Sequence, residues 1–165
     1  MDQTESGAPA DAQHRRGLLL LEEGQGAEAF AELSQAYLAE PQNARYRSAY
    51  ALALALVRGQ FIGAVELARS SIRQEFHNPD LYLNLARIYL HFEFKAEAIR
   101  FLRRGLMVDP SNAELQARLA ELGIRRRPPL PFLPRAHGVN RLLGRIHARL
   151  VRPKASWGPT PLPGA

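Results

Sequence analysis

The chain has 165 residues, 46% of them apolar and 23% charged, which suits one soluble domain with a real core and not a disordered polymer. It contains no cysteine, so disulfide scaffolds, thiolate metal sites and cysteine nucleophiles are excluded. The net charge of +6 is laid out as a gradient: residues 1–40 carry −6, residues 41–123 carry +3, and residues 124–165 carry +9 with no acid among them.

The first residues, MDQTESGAPADAQ, are acidic where a secretion signal needs positive charge. The early apolar run at 18–21 is far below a membrane span. These features predict a cytoplasmic protein without an integral membrane segment, with residues 1–9 disordered. From residue 10 the pattern becomes helical. ADAQHRRGLLLLEEGQGAEAFAELSQAYLAEPQN, residues 10–43, holds two helical stretches around a glycine turn and closes at Pro41. Residues 44–78 hold a weaker copy: a helix through YALALALV, a turn at Gly59, and a second helix with Ala64, Val65 and Ile72. That copy lacks the closing proline, and Leu52 and Phe76 stand where small and proline residues are expected, so its register is open by a residue.

PDLYLNLARIYLHFEFKAEAIRFLRRGLMVDPSN, residues 79–112, is the most legible unit. Tyr82, Leu85, Ala86 and Tyr89 recur at i, i+3, i+4 and i+7, and Ala98, Ile99, Leu102 and Leu106 make a second apolar stripe. Laid over residues 10–43 without gaps, this unit sets Gly17 against Ala86, Leu20 against Tyr89, Ala29 against Ala98, Leu33 against Leu102, Ala36 against Gly105 and Pro41 against Pro110. Small residues fall on small ones, which is the chemistry of close helix crossing. After it, residues 111–123 form a short amphipathic helix with Leu115, Leu119 and Leu122 inward. Ser111 and Glu114 are spaced as a capping box, and Gly123 stands as a C-cap.

This pattern of spacing and residue size resembles the tetratricopeptide repeat family over residues 10–112. The resemblance implies an all-α fold: a right-handed α-solenoid of three helix-turn-helix repeats, 10–43, 44–78 and 79–112, closed by a capping helix. It also implies a concave groove lined by the first helix of each repeat. By carry-over the groove residues are His14, Arg15, Leu18 and Leu21, then Tyr50, Ala53 and Leu56, then Asp80, Leu83, Asn84, Arg87, Leu90 and His91. Such a set suits an amphipathic helix or an extended apolar peptide, although leucines 18, 21 and 56 also read as core between helices. The version of this groove that grips a C-terminal carboxylate uses Lys, Asn and Arg at set positions. Here His14, Leu18, Tyr50 and Asp80 replace four of them and only Asn84 matches, so a receptor for chaperone tails is not expected.

No catalytic constellation appears. The histidines at 14, 77, 91, 137 and 147 make no i, i+4 pair on a helix and have no acids at metal-ligand spacing. No phosphate-cradling loop or nucleophile elbow is present. The expectation is a non-enzymatic adaptor with no cofactor and no metal, whose partner is a protein or peptide.

Beyond residue 123 the composition changes. RRRPPLPFLPR, within residues 124–139, carries Arg125, Arg126, Arg127 and Arg135 with four prolines. Its Arg-x-x-Pro-x-x-Pro spacing fits a polyproline ligand or a rigid spacer equally well. Leu130, Phe132 and Leu133 favour a strap that packs on something, since each is worth about 1.5–3 kcal/mol when buried. Residues 140–150, NRLLGRIHARL, form a basic amphipathic helix with Leu142, Leu143, Ile146 and Leu150 on one side and Arg141, Arg145 and Arg149 on the others. It reads either as a contact for an acidic partner, nucleic acid or anionic lipid, or as a final helix packed on the solenoid. Residues 151–165 are expected to be disordered. An arginine-proline stretch before an Asn-x-x-Leu-Gly helix is similar to the ends of short stand-alone bacterial repeat proteins.

Overall fold

The computed structural model describes residues 7–123. Helices and short turns account for all of them: α1 (Gly7–Glu22), α2 (Gly26–Ala39), α3 (Ala44–Arg58), α4 (Phe61–Gln74), α5 (Pro79–His91), α6 (Lys95–Val108) and α7 (Ala113–Gly123). α1 packs mainly on α2, α3 on α4 and α5 on α6; α3 also lies on α2, α5 on α3 and α4, and α7 on α6. Each helix pair therefore leans on its neighbours in sequence, which makes an all-α solenoid of helical repeats. α1 starts at Gly7, inside the stretch expected to be disordered. Residues 1–6, the strap at 124–139, the basic helix at 140–150 and the tail at 151–165 lie outside the described residues.

Asparagines at the repeat spacing start three of the helices. Asn43 Oδ1 accepts from the N–H groups of Arg45 and Tyr46, Asn78 Oδ1 from that of Asp80, and Asn112 Oδ1 from that of Leu115. Each satisfies an amide that the first helical turn leaves without a partner. The third cap corrects an expectation: Ser111 does not form a capping box, because its hydroxyl donates to Asp109 Oδ1 at 2.7 Å and α7 begins one residue past Asn112. Within each pair the turn passes through the left-handed region, at Gly24 (φ 79°), Gly59 (φ 67°) and Glu93 (φ 66°). A residue with a Cβ pays roughly 1–2 kcal/mol there, so the third repeat keeps the turn geometry of the first two at a local cost.

The small residues matched between repeats lie where helices cross closely. A Cβ added at Gly17 would stand 2.5 Å from Leu33 Cγ, and one at Gly105 would stand 2.7 Å from Leu115 Cδ1 and 3.2 Å from Tyr82 Cβ. Leu33, Leu52, Leu85, Ile88, Leu102 and Leu115 fill the buried interior along the stack. Between the second and third repeats, Tyr89 stacks on Phe101 with ring centroids 5.5 Å apart and meets the edge of Phe61 at 5.9 Å. Arg69 Nη2 donates to the Tyr89 hydroxyl at 2.9 Å, which ties α4 to α5.

Candidate functional site

The expected groove falls on the first helices of the pairs, α1, α3 and α5. In α5, Tyr82 and Tyr89 point toward α4 and α6, where they meet Gly105, Arg69, Phe61 and Phe101. Asn84 turns toward α3, its Nδ2 donating to Ser48 Oγ at 3.2 Å. At 3.6 residues per turn, Leu83 lies about 160° round the helix from Leu85, and Arg87 about 160° from Tyr89. Those two therefore point away from α4 and α6, and Leu90 lies beside them, about 80° round from Tyr82.

The same construction applies to α3. Arg47 faces α4, with Nε donating to Ser71 Oγ at 3.2 Å and Nη2 to Gln74 Oε1 at 2.6 Å. Tyr50 faces α2, stacked on Tyr37 at 4.8 Å and tilted against Phe30 at 5.7 Å. Leu56 lies about 180° from Arg47, so it points away from α4. The candidate face is thus formed by Leu56 and Leu83, with one guanidinium at its edge.

The expected residues separate into distinct environments. Leu56, Leu83, Arg87 and Leu90 share the candidate face, whereas Leu52, with no accessible surface, belongs to the core. Ala53 has no accessible surface and cannot touch a partner. Tyr50 points sideways into α2, and the Asn84 amide is engaged by Ser48. Leu21 is buried in the core, while Leu18, Leu90 and His91 are half-buried. Arg15 is turned to solvent, paired with Asp11 at 2.9 Å, and Asp80 is exposed. Arg125, Arg126, Arg127, Leu130, Phe132, Leu133, Arg135, Arg141, Arg145 and Arg149 lie outside the described residues.

Two buried groups carry shifted ionisation. His14, 5% exposed with its ring 5.1 Å from that of Tyr46, is lowered to about 4 by burial and by the Arg45 and Arg15 charges, against an opposing pull from Asp11. Arg87 is lowered to about 9, first by burial, with Glu114 and Glu22 opposing the shift and Arg118 adding to it. Acids from α1 and α7 thus sit within electrostatic reach of the face. His91 is also lowered, by burial. Among the described residues, no three His, Asp or Glu side chains are placed to hold a metal ion, and no helix is long and apolar enough to cross a membrane.

Residues 55–122 match the tetratricopeptide repeat family. No curated protein sequence matches the chain. Among solved structures, it is similar to the first tetratricopeptide domain of human RPAP3, with a TM-score of 0.57 at 18% identity over 71% of this chain and 91% of that one. The first such domain of Spaghetti (RPAP3), bound to the HSP90 peptide SRMEEVD, matches with a TM-score of 0.55 at 18% identity over 71% and 92%. The tetratricopeptide domain of Arabidopsis OM64 matches with a TM-score of 0.55 at 19% identity over 71% and 96%. At these identities the likeness concerns the fold.

Proposed function

Since the chain is an all-α solenoid carrying tetratricopeptide repeats, we propose that it is a non-enzymatic adaptor whose concave face holds a protein or peptide partner, with the basic segment after residue 123 as a second contact. What supports this reading is the first-helix face offered by Leu56, Leu83 and Leu90 with Arg87 at its edge, an apolar surface of the kind that accepts an amphipathic helix through side-chain pockets. A related fold holding the peptide SRMEEVD supports peptide binding in general. An acidic C-terminal tail is not the ligand proposed here: His14 is buried and Asn84 is engaged by Ser48, so the polar clamp such a tail needs is not assembled. The reading places the protein in the cytoplasm of a bacterium, where a cysteine-free adaptor needs no oxidising compartment.

The alternative is that the nine bases of residues 124–165 bind nucleic acid or anionic membrane and the repeats serve as scaffold. Salt separates the two. Peptides selected on the full chain from a displayed library should bind with nearly constant affinity from roughly 50 to 200 mM salt, whereas a phosphate-driven interaction falls by orders of magnitude over that range. Leu90→Asp should weaken the selected peptide. Recovery of no peptide, together with salt-sensitive binding of a DNA duplex or anionic vesicles, would overturn the adaptor reading.

A further inference from the structure

We propose that the exposed side of α4 and α6 binds an acidic peptide segment of a partner, one that carries carboxylates a helical turn apart and a large apolar residue beside them. Five arginines, Arg69 and Arg73 on α4 and Arg100, Arg103 and Arg104 on α6, are exposed there. Among the described residues, none of the five stands in an ion pair with an acid. Three of them converge on one aromatic stack. Arg69 Nη2 donates to the Tyr89 hydroxyl at 2.9 Å, Tyr89 stacks on Phe101 at 5.5 Å, and the Arg100 and Arg104 guanidinium carbons stand 5.3 and 5.5 Å from the Phe101 centroid. Like charges gathered in this way repel one another, and an anion seated among them relieves the repulsion. The hydrogen bond and the ring contacts hold the guanidinium forks in place before a ligand arrives, which lowers the ordering cost of binding.

The repeat itself does not call for these charges. With the asparagine caps 43, 78 and 112 laid on one another, Arg69 and Arg103 fall on Ser34, Arg73 on Leu38, Arg100 on Ala31 and Arg104 on Gln35. The equivalent helix α2 packs in the same stack with Glu28 and Glu32 and no base, so stacking does not explain the arginines. Three features select a peptide over nucleic acid. Met107, one turn beyond Arg103 and Arg104, is 82% exposed; its flexible thioether suits an apolar side chain of a peptide and has no counterpart on a phosphate backbone. Tyr89 and Phe101 are 5% and 4% exposed, so neither ring is open to a stacking base. Glu66 and Glu97, each three residues before the first of these arginines on its helix, close off the cationic strip. From Arg100 to Met107 the strip runs about 10 Å along α6, enough for carboxylates one turn apart and short for a tract of duplex backbone. This surface lies on different helices from Leu56, Leu83 and Leu90, so it acts beside the partner site proposed above and does not rest on that reading.

The test uses the full chain at roughly 150 mM salt, where attraction to more distant bases is screened. The probe is a synthetic amphipathic helix with Glu at i, i+4 and i+8 and Leu one turn further, and the control is the same peptide with Gln in place of each Glu. The Glu peptide should shift the backbone amide signals of residues 66–73 and 100–107 and the Met107 methyl signal while sparing α2, and the Gln peptide should shift none of them. Arg100→Glu with Arg104→Glu should weaken binding about tenfold or more, with unchanged α2 signals showing that the solenoid remains folded. Arg141→Glu with Arg145→Glu should leave the shifts on α4 and α6 in place, as should Leu90→Asp, which tests the other face. A DNA duplex at the same concentration should not produce those shifts. The proposal is overturned if the Glu peptide shifts no signals on α4 and α6, if charge reversal at Arg100 and Arg104 leaves its affinity unchanged, or if the duplex binds this side more tightly than the peptide, which would make the partner a nucleic acid.

Discussion

The first and fifth helices play the same part in their repeats, yet they are buried in different ways. In α1 the buried positions are Ala10, His14, Gly17 and Leu21, a single stripe at intervals of three and four. In α5 every residue from 81 to 89 is buried. A stripe is what an end helix shows when α2 and α3 cover one side and solvent covers the other. All-round burial requires neighbours on every side. The difference teaches that equivalent repeat positions do not have equivalent energetics: the same residue type stabilises more in the enclosed helix than at the open end.

The largest expected effect tests that contrast directly. Leu85→Ala, at a site with no accessible surface, should cost about 4 kcal/mol in urea unfolding, and Leu21→Ala in α1 about 2 kcal/mol, within the range for leucine truncation. Equal costs would break the comparison.

Acid should weaken the α1 side selectively. His14 is held neutral in the folded protein by a value lowered from 6.5 to about 4, so the unfolded chain binds the proton first as the pH falls. Stability is at its full level above pH 6.5 and declines between 6.5 and about 4, by on the order of 2 kcal/mol. Below that window both states are protonated and no further loss comes from this group. His14→Leu should unfold with a shallower pH slope across that window, as read by denaturant midpoints; identical slopes would remove His14 as the cause.

Two glycine substitutions give smaller effects with different origins. Gly17→Ala forces its new Cβ against Leu33 and should cost about 2 kcal/mol through overpacking. Gly59→Ala meets nothing within 4 Å but places a Cβ at φ 67°, and should cost about 1 kcal/mol through the backbone alone. If thermal unfolding ranks Gly59→Ala as the more damaging, close crossing between α1 and α2 matters less than turn geometry.

Much of the architecture is legible before any coordinates, because the repeat is written in residue size. Gly17 and Gly105 are small where a helix passes within contact of a leucine, and Gly24 and Gly59 stand where the turn needs a positive φ. The asparagine caps at 43, 78 and 112 are equally regular in the sequence, and only the third is obscured, because Ser111 and Glu114 imitate a capping box one residue early. Glu93 is the opposite case: its side chain gives no sign of a left-handed turn, and only the repeat spacing does.

The candidate site is less legible, for a geometric reason. A consensus position specifies a residue's place along a helix, but its role depends on rotation about the axis and on what the neighbours cover. A shift of one position turns a side chain by about 100°, enough to send Tyr50 sideways into α2 and off the face. Periodicity and residue size determine that this chain makes stacked helix pairs, since those depend on local contacts repeated at a fixed interval. Which leucines become core, which polar groups are engaged and which face remains for a ligand are decided by packing between repeats, where Asn84 finds Ser48 and Arg47 finds Ser71 and Gln74 across separations no local pattern records.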